Sequence, residues 1–148
     1  MPAVEANTAQ ANVKQAVPFF MVSNIQNSLR FYIHGLRFEI TNKWIDEGEL
    51  RWCWLKYGGA ALMLQQYRKQ EIERLASRDA PFGVGVSVYF ICEDAVAIYR
   101  EVRSRRVKAG TPFVGNSMWV TSINDPDGYR ILFESPTDMP EETVYSGI

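Results

Sequence analysis

The chain has 148 residues, 47% of them hydrophobic and 22% charged, with 16 basic side chains against 17 acidic ones and a single histidine. That length makes one ordinary domain or two very small fused units, enough to bury a core without disulfide or metal staples. A formal net charge of −1 provides no overall field for nucleic acid or an anionic membrane, and no apolar run reaches membrane-spanning length.

The opening stretch "MPAVEANTAQANV" lacks the basic start and apolar run of a signal peptide, and residues 1–13 read as a flexible arm. "AVPFFMV" (16–22) is a short apolar strand. Asn24 then serves as an N-cap for a helix carrying Ile25, Leu29, Phe31, Tyr32 and Leu36, with Gly35 as its C′ stop. His34, the only imidazole, precedes that stop, where a cation suits a helix C-terminus, so it is read as structural. "LRFEITNKW" (36–44) resumes alternation, and the hairpin "RWCWLKYGGAALMLQQY" (51–67) completes a β-α-β-β-β unit over 14–67. "RKQEIERLASRDAP" (68–81) is a charged linker with room for one or two helical turns.

The second unit, 82–135, repeats the order. "GVGVSVYFIC" (83–92) is a strand, and Asp94 caps a helix through about Arg105 whose apolar residues are Val96, Ile98, Tyr99 and Val102. "MWVTSI" (118–123) and "YRILFE" (129–134) close the unit through "NDPDG", and 136–148 is a polar tail placed to lie over a neighbouring surface. The basic run "REVRSRRVK" (100–108) has helical spacing and reads as a solvated face. Cys53 and Cys92 each sit in an apolar run; two isolated buried thiols point to a reduced, cytoplasmic setting. The first strands of the two units begin 70 residues apart, and the closing strands at Met63 and Leu132 lie 69 apart. The expected fold is therefore α+β, with two tandem βαβββ modules making a cupped, mainly antiparallel eight-stranded sheet, because one four-stranded unit alone cannot bury both faces.

The hairpin raises a question of its own, since its second strand is apolar on both faces. A two-residue turn at Gly58-Gly59 pairs Tyr57 with Ala60. Counting back places Leu55 opposite Leu62, Trp54 opposite Met63, Cys53 opposite Leu64 and Trp52 opposite Gln65. Opposite partners share a face. Cys53, Leu55, Leu62 and Leu64 then make an aliphatic face for the helix, while Trp52, Trp54, Met63 and Gln65 make a broad aromatic one. By the same alternation Phe20 and Val22 face the helix, leaving Val17, Phe19 and Met21 opposite. In the second unit Val86, Val88 and Phe90 face the helix, leaving Gly85, Ser87, Tyr89 and Ile91, joined by Arg130, Leu132 and Glu134. A mostly apolar wall with few polar heads has the composition of a small-molecule pocket; a dimer interface or plain core has it too, and composition leaves these readings open.

The run "VPFFMVSNIQNSLRFYIHGLRFE" (17–39) resembles the opening of vicinal oxygen chelate proteins, the superfamily of glyoxalase I, extradiol dioxygenases, fosfomycin-resistance enzymes and bleomycin-resistance proteins, and "INDPDGYRILFESP" (123–136) resembles its closing hairpin. The likeness spans residues 14–138. It implies sheets curled around a ligand and a homodimer. The superfamily's metal enzymes hold one divalent ion with four inward side chains, and those positions fall here at Val17, Met63, Ser87 and Leu132. Three of them carry no usable donor. Gln65 and Glu134, two residues further along the same face, leave a displaced site open. The chain thus resembles in character the bleomycin-resistance branch, which binds its drug without metal or other cofactor.

The resulting expectation is an antibiotic-resistance or sequestration type of protein. It binds a small aromatic or amine-bearing molecule through Phe19, Met21, Trp52, Trp54, Met63, Gln65, Ser87, Tyr89, Leu132 and Glu134, with Trp119 as a further stacking candidate. The near-neutral charge does not favour strongly cationic bleomycin itself. Nucleic acid and membrane are not expected partners. The alternative is a superfamily enzyme, a lyase, isomerase or dioxygenase. It would use displaced metal ligands or metal-free acid–base chemistry at Glu134 or Tyr89, with Glu134 set between tryptophans. Asp125 and Asp127 sit in a proline turn and read as structural, while Arg130 either pairs with Glu134 or faces water. A third reading is an interaction module whose aromatic face another chain covers.

Overall fold

One strand–helix–three-strand pattern occurs twice along the chain. The computed structural model describes residues 11–76 and 80–147; the arm at 1–10 and linker positions 77–79 lie outside the described residues. The first unit comprises β1 (Phe19–Val22), α1 (Ile25–Leu29, running on as a π-helical segment Arg30–Gly35), β2 (Glu39–Asp46), β3 (Glu49–Tyr57) and β4 (Ala60–Gln66). Helix α2 (Lys69–Ala76) forms in the linker. The second unit comprises β5 (Ser87–Ile91), α3 (Ala95–Ser104), β6 (Phe113–Gly115), β7 (Met118–Asn124) and β8 (Arg130–Pro136). The eight strands form two four-stranded sheets, ordered β1-β4-β3-β2 and β5-β8-β7-β6. In each the first strand pairs parallel with the last and the other pairs run antiparallel.

The Gly58-Gly59 turn fixes the register expected from its length. Tyr57 pairs with Ala60, Leu55 with Leu62, Trp54 with Met63 and Trp52 with Gln65. One parity of this hairpin is fully buried: Cys53, Leu55, Leu62 and Leu64 are each 0% exposed, and burying a side chain such as Leu stabilises by about 1.5–3 kcal/mol. Both units share one core, because Phe20 of β1 stacks on Tyr129 at 3.9 Å and Phe38 meets Phe90 at 5.6 Å. The "DPDG" turn fastens the units together. Tyr32 Oη donates to Asp125 Oδ2 at 2.8 Å, Ser23 N and Oγ donate to Asp127, and Tyr129 Oη donates to the Met21 carbonyl at 2.8 Å. The aspartates are structural, as the turn chemistry suggests.

Asn24 and Asp94 are the N-caps, accepting from Asn27 N and Ala97 N. Gly35 has a different reason from the one expected. The left-handed residue is Arg37, φ 73°, and Gly35 is needed because a Cβ there would stand 2.8 Å from Val107 Cγ2. Arg105 donates to the Gly35 carbonyl at 2.8 Å and Arg103 to the Tyr99 hydroxyl at 2.8 Å, so part of the basic run is structural. The strand expected over 83–92 is shorter. Gly83 packs under Tyr129, Gly85 turns with φ +83°, and Val86 is 39% exposed instead of facing the core. The tail runs along β6, where Val114 N donates to the Thr143 carbonyl and Glu142 N to the Val114 carbonyl, both at 2.9 Å, covering an otherwise open edge.

Burial pushes the Cys53 thiol up to about 11, whereas Cys92, also raised by burial, is only half-buried. An aromatic disulfide reagent at about pH 8 should therefore modify Cys92 in the native protein and reach Cys53 only after denaturation. Native labelling of Cys53 at the rate of Cys92 would mean that residues 52–54 have the opposite parity. Burial also raises the Asp125 carboxyl, opposed by the bonds it accepts from Tyr32 and from the amides of Tyr129 and Asp127. A raised carboxyl contributes fully to stability below its unfolded pKa of about 3.9, and loses that contribution as pH rises through the folded value. The stability advantage of wild type over Asp125→Asn should thus shrink as pH rises above about 4 in urea unfolding; an advantage that grows as pH rises would contradict the assignment.

Candidate functional site

The parity of the first sheet opposite the core forms two cross-strand rows. One runs Phe19–Met63–Trp54–Asn42, the next Met21–Gln65–Trp52–Trp44. Strands about 4.8 Å apart make each row about 14 Å long, and the rows lie about 7 Å from one another. The result is a plate the size of a fused three-ring aromatic, with indoles at its centre and one amide in each row, Asn42 and Gln65. Phe19 is 46% and Trp44 51% exposed, while Met21, Trp52, Trp54, Met63 and Gln65 are half-buried. The sequence reading missed Trp44. Its signal is the two-residue turn Glu47-Gly48, left-handed at both positions with φ 51° and 78°. Counting back from it would pair Trp44 with Arg51, but a bulge excludes Arg51 and pairs Trp44 with Trp52, and a one-residue slip changes the face. At this corner a cavity of about 500 Å³ extends from Trp44 and Gln65 towards Arg51, Arg68 and Lys69, with Arg51 held 3.6 Å from Glu49.

The second sheet presents Ser87–Arg130–Asn124, Tyr89–Leu132–Ser122 and Ile91–Glu134–Val120–Phe113. Tyr89 is 52% and Ile91 68% exposed, but Leu132, on central β8, is only 1% exposed. Its methyls are screened by its neighbours in the single chain. Arg130 is exposed and its Nε donates to Ser122 Oγ at 3.3 Å, in line with the water-facing alternative and not with the Glu134 pairing. Trp119 is also not where expected. It lies on the helix side, edge-on to Tyr145 at 6.3 Å, because the next residue of its face, Thr121, donates to the Ala95 carbonyl at the start of α3. Glu134 stands between Ile91 and Val120, not between tryptophans; the indoles belong to the other sheet. The structure thus brings together Phe19, Met21, Trp52, Trp54, Met63 and Gln65 on one face, and Ser87, Tyr89, Leu132 and Glu134 on a second. It does not set the two faces around one enclosed space in the single chain.

The donor set does not fit a chelated divalent ion. Met63 and Leu132 offer no oxygen or nitrogen, Val17 precedes β1, Ser87 lies opposite Arg130, and Gln65 and Glu134 are on different sheets. Among the described residues no group of three or more His, Cys, Asp or Glu side chains is arranged to hold a metal. His34 is exposed at the end of the π-helical segment. Among the described residues, no helix is long and apolar enough to cross a membrane.

No family model and no curated protein sequence matches the chain. Solved structures do. The antibiotic binding protein TnmS3 from Streptomyces sp. CB03234 superposes with a TM-score of 0.67 at 17% identity, covering 86% of this chain and 100% of its own. A bleomycin resistance determinant encoded on the transposon Tn5 gives 0.63 at 19% identity over 86% and 100%. A glyoxalase/bleomycin resistance protein/dioxygenase from Nocardioides gives 0.62 at 14% identity over 93% and 95%. With 86–93% of this chain matched to 95–100% of theirs and the paired βαβββ units in place, this protein has the vicinal oxygen chelate fold of the glyoxalase/bleomycin-resistance proteins.

Proposed function

We propose that this protein binds a flat aromatic small molecule on the plate formed by Phe19, Met63, Trp54, Gln65, Trp52 and Trp44, and holds it without transforming it. The observation that carries this reading is the split in burial along one hairpin. Cys53, Leu55, Leu62 and Leu64 are fully buried, while the alternate residues Trp52, Trp54, Met63 and Gln65 are only half-buried on the opposite face of the sheet. A protein that needed these aromatics only for stability would bury them. The likeness to an antibiotic-binding protein and to a bleomycin resistance determinant supports a sequestering, resistance type of role.

The opposite wall, in this proposal, comes from the β5–β8 face of a second copy. Tyr89 and Ile91 stand more than half exposed, and a homodimer would place them, with Glu134, over the plate. Glu134 then recognises an amine on the ligand through a charge-assisted hydrogen bond. The dimer is read from sedimentation: a mass that stays monomeric at high protein concentration counts against the second wall but not against the plate.

Ligand binding is read from intrinsic fluorescence. A planar polycyclic compound should quench Trp52 and Trp54 saturably. Trp54→Ala or Trp44→Ala should weaken binding about tenfold, from lost stacking and burial, and Gln65→Ala about threefold, from one hydrogen bond. Saturable quenching with unchanged affinity in all three variants would place the ligand elsewhere. No quenching across a broad panel, together with a large apolar dimer interface, would favour the interaction module.

A further inference from the structure

A groove separate from the plate lies at the seam between the two units. It has a volume of about 770 Å³, within the range of small-molecule sites. Its floor is lined by aromatic rings that are themselves largely buried, Phe38, Phe90 and Phe133 being 1%, 8% and 3% exposed. Tyr57 meets Phe38 at 5.4 Å, Phe38 meets Phe90 at 5.6 Å, and Phe90 meets Phe133 at 5.6 Å. One wall is the β3–β4 turn, where Gly58 and Gly59 carry no side chain and an added Cβ would touch nothing within 4 Å. The other wall is a single face of α3, where Asp94, Ala97, Ile98 and Glu101 recur at helical spacing.

Charge and surface in this groove point to one kind of occupant. Three carboxylates line it, Glu93, Asp94 and Glu101, and no lysine, arginine or histidine does. Asp94 is engaged as the N-cap of α3. Among the described residues, the carboxylates of Glu93 and Glu101 have neither an ion-pair partner nor a hydrogen-bond donor, and Glu101 sits beyond the first helical turn, where the helix dipole no longer offsets its charge. Cations also prefer aromatic rings, and Tyr57, 38% exposed, belongs to the lining. From this groove, its aromatic floor and its unbalanced carboxylates together, we infer a second binding site, for an organic cation with apolar or aromatic bulk, independent of the plate on the sheet. Tyr89 and Ile91 reach its rim from β5; no tryptophan does.

Two ions of one shape and opposite charge test this: tetraphenylphosphonium and tetraphenylborate. Cys92 is a reporter inside the groove, half-buried and on its wall. On the full-length protein, tetraphenylphosphonium should slow the alkylation of Cys92 by a neutral maleimide saturably, and tetraphenylborate at the same concentration should not. Glu101→Gln and Glu93→Gln, both at exposed positions, should each raise the concentration needed by about tenfold. Protection should be unchanged in Trp54→Ala, which weakens the plate and does not touch the groove lining. No protection, equal protection by both ions, or indifference to both glutamine variants overturns the site; loss of protection in Trp54→Ala overturns its independence from the plate.

Discussion

The structure depends on one constraint, the two-residue turn at Gly58-Gly59 with Gly58 at φ +54°. A turn of that length admits one register, and the register decides which way each residue of β3 and β4 points. Lengthening the turn by one residue on one strand would send Trp52 and Trp54 into the helices and expose Cys53 and Leu55. The buried aliphatic row and the uncovered aromatic row are thus two results of the same hydrogen-bond ladder. Neither can be altered by a slip without losing the other, and the core enforces the register because each buried leucine opposes such a slip by kilocalories.

The second constraint couples the two units. A four-stranded sheet with one helix cannot cover itself, and here each unit lends the other what it lacks. Phe20 stacks on Tyr129, Tyr32 reaches across to Asp125, and Arg105 caps the π-helical segment at Gly35. These contacts all use the helix side of the sheets. The opposite faces keep apolar side chains partly exposed, among them Phe19, Trp44, Tyr89 and Ile91, and at the seam between the units the same arrangement opens the carboxylate-rimmed groove.

Much of this was legible in the sequence, for identifiable reasons. Alternation and turn length are local, so the β3–β4 register and both N-caps followed from residues 24, 51–67 and 94 alone. The tandem units followed from spacing. What failed was non-local. The bulge at Arg51 is not marked by any glycine or proline, so Trp44 was assigned to no face. Trp119 was drawn into the site by its residue type, although its direction is set by Thr121 bonding to α3 and by Tyr145 folding back from the tail. Gly35 was read through its usual role as a helix stop, when what requires it is Val107, 72 residues away. Glu134 and the indoles were placed together because both are inward by parity, but parity assigns a face within a sheet and says nothing of how two sheets are set against one another.

The separation of faces also bears on how such a protein changes its ligand. Trp52 and Trp54 stand on β3, whose backbone is paired on both sides, so an indole there, with two rotatable bonds, would lose little entropy if a ligand stacked on it. Met63 at the centre is the exception, a flexible thioether able to follow the outline of whatever lies above it. Because none of these residues belongs to the shared core, replacing one alters the surface of that face while the buried parity beneath it is untouched. In the proposed role, stability and recognition are therefore written on alternate residues of the same strands. That arrangement lets the fold keep one core while the chemistry it faces is exchanged residue by residue, provided the turn that fixes the alternation is kept.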